Sequence, residues 1–142
     1  GTAPLSRRLA REVAFKALFQ VDIGKCRIMP AVLRAMEGFS FGEEEKVFID
    51  GLVTGTLENQ ARLDEIIRNH LVKWKLERIS AVDRNLLRLA LYEILYRPDI
   101  PAAVSINEAL ELAKKYGSTG EAVGFINGVL DRAVGELLER EQ

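Results

Sequence analysis

The segment from Ser80 to Tyr96 most constrains how this chain can fold. Leu86, Leu87, Leu89, Ala90, Leu91, Ile94 and Leu95 leave almost no polar face on a helix drawn through it. A helix that is apolar all round belongs inside a protein or a membrane. The run is too short and too often interrupted by charge for a membrane span, which needs ~18 apolar residues. The segment is therefore expected to be a central, buried helix. Arg88 and Glu93 within it then require partners, because unpaired buried charge is expensive.

The rest of the sequence reads as helices that could surround that one. The first runs from about Leu5 to Val21. Pro30 suits the first turn of a short second helix that stops at Gly38. Ser40 followed by Glu43 reads as a capping box, opening a helix with Phe48, Ile49, Leu52, Val53 and Leu57 on one face. Asn59 marks a break or bend. Leu63, Ile66, Ile67 and Leu71 form the next stripe, with Trp74 near its end. Pro98 and Pro101 make an extended link. Ser105 with Glu108 reads as a second capping box, on a helix ending at Gly117, and Ser118 with Glu121 as a third. The last helix would turn Ala122, Ile126, Val129, Leu130, Ala133 and Leu137 inward. The expected fold is all-α, a bundle of about seven helices in two packed subdomains, roughly residues 1–77 and 78–142. The chain's 142 residues suffice for one domain with a core of its own.

Catalytic and metal chemistry find little support. The single histidine, His70, has no second ligand at zinc spacing. The single cysteine, Cys26, reads as a small hydrophobe and fits a reducing, cytoplasmic compartment. The glycines at 117 and 120 lack the Lys-Ser/Thr ending of a phosphate loop. Glu43, Glu44 and Glu45 are accounted for by the favourable field at a helix N-terminus. No cofactor, metal or enzymatic activity is expected.

Charge is distributed unevenly. Residues 1–27 hold six basic residues against two acidic ones, a balance of +4, which leaves −5 for the rest of a chain with net charge −1. Such a split suits a polyanion at one end and a basic partner elsewhere. At 100° per residue, Ala10, Val13, Ala14, Ala17 and Val21 share the core arc of the first helix. Arg7, Arg8, Arg11, Phe15 and Phe19 share a neighbouring one. Two readings stand side by side: arginines and rings displayed to unpaired RNA bases and phosphates, or rings in the core with arginines that merely solubilise. Gly120, Gly124 and Gly128 recur one turn apart, which suggests close helix contact. Phe125 lies off the apolar arc of its helix and is a candidate for exposure.

Four motifs carry a resemblance. They are Arg7-Arg8-Leu9-Ala10-Arg11-Glu12 with Ala17-Leu18-Phe19-Gln20; Val82-Asp83-Arg84-Asn85-Leu86-Leu87-Arg88-Leu89-Ala90-Leu91-Tyr92-Glu93; Ile100-Pro101 with Ser105-Ile106-Asn107-Glu108-Ala109 and Leu112-Ala113-Lys114; and Phe125-Ile126-Asn127-Gly128-Val129-Leu130-Asp131. In this order, across nearly the full chain, they resemble the NusB family of bacterial transcription antitermination factors. The resemblance implies a non-catalytic helical protein that binds boxA RNA together with NusE, a protein of the small ribosomal subunit. It further implies a place in the elongation complex with RNA polymerase, promoting read-through on ribosomal RNA operons. Arg7, Arg8, Arg11, Lys16, Phe19 and Phe125 would then contact RNA, and Glu77 and Asp83 would meet basic NusE. Self-association as a homodimer is open in such a family. The alternative is the similar RNA-binding domain of ribosomal RNA cytosine methyltransferases. Two departures stand out: Leu9 where some relatives carry arginine, and a longer link over Gly117–Gly124.

Overall fold

Apolar side chains at helical spacing give seven α-helices and one 3-10 turn among the described residues of the computed structural model, 5–117 and 119–141. The helices are α1 (Leu5–Gly24), α2 (Ile28–Met36), α3 (Glu43–Glu58), α4 (Gln60–Asn69), α5 (Ala81–Tyr96), α6 (Ala102–Tyr116) and α7 (Ala122–Glu141), with the 3-10 turn at Leu76–Arg78 before α5. The expected all-α class holds. As its composition requires, α5 is central: Leu86, Leu87, Leu89, Ala90 and Leu91 are buried, and α1, α3, α4, α6 and α7 all pack against it. Helices α2 and α3 lie on α1, while α7 lies on α5 and α6.

The charges inside α5 find partners on the surrounding helices. Arg88 makes a two-pronged pair with Asp64 of α4, at 2.7 and 3.0 Å. Arg84 (2.8 and 3.0 Å) and the Asn85 amide (2.9 Å) converge on Asp22 of α1. Glu93 accepts from Arg11 of α1 at 2.8 and 2.9 Å and from the Ser105 hydroxyl of α6 at 3.0 Å. Each contact fixes a neighbouring helix at one place along α5, a positional constraint that apolar packing alone supplies less sharply.

Helix ends follow the sequence unevenly. Ser80 caps α5, accepting from the Asp83 amide at 3.1 Å. Asn59 ends α3, and its side-chain amide donates to the Gly55 carbonyl at 2.8 Å. Gly38 adopts φ 87° just past α2, a conformation that glycine enters without strain. The capping box read at Ser40 is absent: Gly42 is the N-cap of α3, with no side-chain cap. The box at Ser105 is absent as well, because α6 starts after Pro101 and places Ser105 in its interior. Ser105 and Glu108 instead serve Glu93 and Arg8 on neighbouring helices. Ser118, the expected cap of the last helix, lies outside the described residues.

The expected glycine stripe is not a packing face. A methyl group at Gly120 or Gly124 would meet nothing within 4 Å, and at Gly128 only the end of Arg132. The close approach occurs at Gly55 in α3, where a Cβ would overlap the Tyr92 ring of α5. Gly55→Ala should therefore destabilise by about 1–3 kcal/mol through overpacking. Gly135→Ala, in open space on α7, should stabilise by up to about 1 kcal/mol through helix propensity. Urea unfolding followed by circular dichroism checks both signs.

Burial alone would push the Asp22 carboxyl up, but hydrogen bonds from Arg84 and Asn85 outweigh it and hold Asp22 below its ordinary value of 3.8. Glu12 is likewise raised by burial and lowered further by Lys115 and Tyr116, ending below 4.5. A depressed folded-state value adds stability that is complete above the unfolded value and is lost as pH falls through the folded one. The urea midpoint should hold between pH 7 and 5, then drop below about pH 4. Asp22→Asn should blunt that drop.

Candidate nucleic-acid interface

The N-terminal arginines of α1 do not form an open cationic row. Arg11 is 2% exposed, and its guanidinium is committed to Glu93. The expectation that Arg11 neutralises RNA phosphate is therefore corrected: its partner, 82 residues away, draws it into the core. Arg8 keeps more exposed surface but donates through Nε to both Glu108 oxygens, at 3.1 and 3.2 Å. Arg7 is half-buried, its guanidinium 4.5 Å above the Phe48 ring, where Arg97 also lies at 5.2 Å. Phe15 is core, against Tyr116 at 5.3 Å between ring centres. For Arg11 and Phe15, the interior reading of α1 is the right one.

Further along α1 the surface opens. Phe19 is half-buried, and Lys16 lies 5.8 Å from the Tyr116 ring. Together with Arg34 of α2 they border a cleft of about 540 Å³, whose floor is Phe15, Ala31, Ala35 and Val82. Neither Lys16 nor Arg34 is in a salt bridge among the described residues; Arg34 Nη2 donates to Cys26 Sγ at 3.4 Å. Aromatic walls with cations outside close salt bridges at the rim suit a flat ring carrying an anionic tail.

Two more clefts lie elsewhere on the surface. On the α1–α6 side, a groove of about 430 Å³ is bordered by Arg8, Lys114 and Lys115. Its charge is partly cancelled, because Glu108 holds Arg8, and Lys115 and Tyr116 both donate to Glu12. On the other side, a cleft of about 350 Å³ is lined by Phe125 of α7, Trp74, Arg78, Ser80 and Asp83. Val82 lines the Phe19 cleft and Asp83 the Phe125 cleft, so the two flank the first turn of α5. Phe125 and Phe19, far apart in sequence, thus border neighbouring hollows.

The two acidic positions differ. Glu77 is exposed; its carboxyl is held below the ordinary carboxylate value by hydrogen bonds from its own backbone and from Arg68, the latter at 3.0 Å. Asp83 is half-buried, and desolvation pushes its carboxyl up. Its Oδ1 is sealed from solvent and accepts no hydrogen bond, a situation that costs about 1–3 kcal/mol. Arg34, Tyr116 and Arg78 were not singled out by sequence reasoning. Only their convergence through folding distinguishes them, although Tyr116 follows two lysines in a last helical turn.

Helices wrapped on a buried central α5, with rings and cations gathered at its first turn, define an all-α bundle protein whose surface suits a planar, anionic ligand. The model of the NusB family matches residues 8–134. Transcription antitermination protein NusB of Bacillus velezensis is 50% identical over 126 residues, 89% of this chain and 93% of the relative. The T. maritima NusB structure superposes with a TM-score of 0.85 at 39% identity, covering 96% of this chain and 94% of that one. A structure described as antitermination factors NusB and NusE in complex with dsRNA gives 0.82 at 26% identity, covering 90% and 95%. The chain belongs to the NusB family, whose members are antitermination factors rather than enzymes.

Arg11→Ala should cost about 3–5 kcal/mol, since it leaves Glu93 charged and buried. Lys16→Ala, on the cleft rim, should change stability by less than about 0.5 kcal/mol. Thermal and urea unfolding of the two variants check the contrast.

Proposed function

We propose that this chain binds the boxA segment of nascent RNA together with NusE in the cytoplasm. Joined to the elongation complex, it would help RNA polymerase read through terminators, notably on ribosomal RNA operons. The observation that carries the RNA reading is the cleft in which Phe19 and Tyr116 stand beside Lys16 and Arg34, neither in a salt bridge among the described residues. Rings of this kind stack on unpaired bases, and the two cations hold the phosphates that connect them. Phe125 supplies a second ring beyond the first turn of α5, with Arg78 as a third cation. Arg8 remains an outer contact at the rim of the α1–α6 groove, and Arg7 a reserve charge beyond it. Glu77 presents the exposed carboxylate best placed to meet a basic partner such as NusE. The relative solved with NusE and dsRNA supports an assembly of this kind, with a protein partner and RNA together.

Three phosphate contacts, at Lys16, Arg34 and Arg78, predict a log–log salt slope of about −2 for single-stranded RNA. Affinity should then fall about twentyfold between 50 and 200 mM salt. Anisotropy of a labelled boxA-like RNA, with and without NusE, measures this. Lys16→Ala/Arg34→Ala should flatten the slope to about −0.7 while the protein stays folded. A wild-type slope near zero would contradict the cleft as the RNA site.

A further inference from the structure

Helix α2 turns large apolar side chains outward and small ones inward. Its buried residues are Ala31 and Val32, with Ala35 and Met36 half-buried beside them. Met29 and Leu33, one turn apart on the outer side, are 60% and 59% exposed. Ile28 at the start of the helix and Phe39 just beyond its end are exposed as well, and Ile23 stands exposed on the last turn of α1. Among the described residues, five of the nine exposed large hydrophobic side chains thus fall between residues 23 and 39. Single apolar residues scattered over a surface need no explanation, but a concentration around one short helix marks a contact site. Met29 and Leu33 have the i, i+4 spacing of a ridge that seats in the groove of another helix, and methionine adapts its shape to what it meets.

The charges beside this ridge select the partner. Lys25, Arg27 and Arg34 are exposed, and none of the three is in a salt bridge among the described residues. Glu37 is the single acidic residue from 23 to 42, so this segment carries a balance of +2 in a chain of net charge −1. Arg27, at the N-cap of α2, and Arg34 stand about two turns apart on one flank of the helix. We propose that the outer face of α2 docks an acidic amphipathic helix of a partner protein. Its apolar residues pack on Met29 and Leu33, and its carboxylates face Lys25, Arg27 and Arg34. Such a partner is opposite in charge to the basic one expected at Glu77, and the inference does not depend on the RNA reading.

A second copy of this chain, a nucleic acid and an anionic bilayer are the competing occupants. Two copies meeting ridge to ridge would set like-charged rims against each other, which is repulsive. Nucleic-acid phosphates would suit the cations but leave Met29, Leu33 and Phe39 facing water. A bilayer offers both charge and hydrocarbon, yet α2 has nine residues and packs its other side on α1, whereas helices that embed in a membrane surface often run to about 20–30 residues. An acidic helix meets the ridge and the rim together.

The chain's two methionines, Met29 and Met36, both lie on α2, so carbon-13 labelling of methionine methyl groups reports on this helix alone. The probe is a capped helical peptide of about 18 residues, with leucine at i, i+3, i+4 and i+7 and glutamate elsewhere. Its control carries lysine in place of every glutamate. The glutamate peptide should shift both methyl signals in a saturable titration, and the lysine peptide should leave them unmoved. Leu33→Asp should weaken the glutamate peptide about tenfold or more, as removal of a central anchor implies. Lys25→Glu/Arg27→Glu leaves the ridge intact; it should weaken the glutamate peptide about tenfold and admit the lysine peptide. This second variant carries the test should Leu33→Asp lose the folded circular dichroism spectrum. Methyl signals unmoved by the glutamate peptide, or moved equally by its lysine counterpart, would overturn the proposal. Shifts that grow with protein concentration alone, with a dimer in sedimentation that Leu33→Asp disperses, would overturn it in favour of a second copy. Shifts caused by phosphatidylglycerol vesicles or by a uridine heptamer, and not by the glutamate peptide, would overturn it in favour of a lipid surface or a nucleic acid.

Discussion

The buried pair between Arg11 and Glu93 is the interaction on which the arrangement of this molecule depends. Both side chains are almost completely enclosed, and two hydrogen bonds of 2.8 and 2.9 Å join them across α1 and α5. Desolvating two charges consumes most of what their attraction returns, so the pair contributes modest net stability. Its larger effect is to exclude alternatives. An α1 rotated or shifted by one turn would bury a guanidinium and a carboxylate apart from each other, at severe cost. Ser105 extends the same constraint to α6, and Arg88 with Asp64 repeats it for α4.

This fixed setting of α1 determines what it can display. With Arg11 turned inward, Lys16 and Phe19 come to the surface near the far end of α1, opposite α2 and the end of α6. Eleven residues separate Arg8 from Phe19, about 16 Å along the helix axis. The N-terminal arginines and the Phe19 cleft are therefore separate regions rather than one patch. Asp22, on the last turns of α1, is held by Arg84 and Asn85 from α5. That tie seats the end of α1 against the first turn of α5, where the two aromatic clefts meet. Ion pairs inside the bundle thus position a surface in which Lys16 and Arg34 stay outside the salt bridges among the described residues.

Helix order and the centrality of α5 were legible in the sequence, because a 3.6-residue period needs only local information. The same period could not choose between arginine as core strut and arginine as phosphate ligand. Arg7, Arg8 and Arg11 share one arc, yet their partners Phe48, Glu108 and Glu93 lie on three other helices. Phe15 and Phe19 differ for the same reason: Tyr116 covers one and leaves the other at the edge of a cleft. The capping box at Ser105 failed because a Ser-x-x-Glu pattern is equally served by contacts between helices, and the one at Ser40 because α3 begins later, with Gly42 as its N-cap. The glycine stripe failed because spacing shows where backbone could approach, not what lies opposite. Gly51 and Gly55 also stand one turn apart, yet only Gly55 marks a real close contact, while Gly51 faces open space.

The proposed path of nucleic acid runs across the first turn of α5, between Phe19 and Phe125, and not along the arginine end of α1. Backbone amide NMR shifts of the uniformly labelled protein, recorded with and without a single-stranded boxA-like RNA, test it most directly. The largest changes are expected around residues 16–20, 31–35, 74–83 and 116–125, with α4 and the second half of α7 unmoved. Changes confined to residues 6–11 and 93–99, with none at Phe19, Trp74 or Phe125, would contradict it.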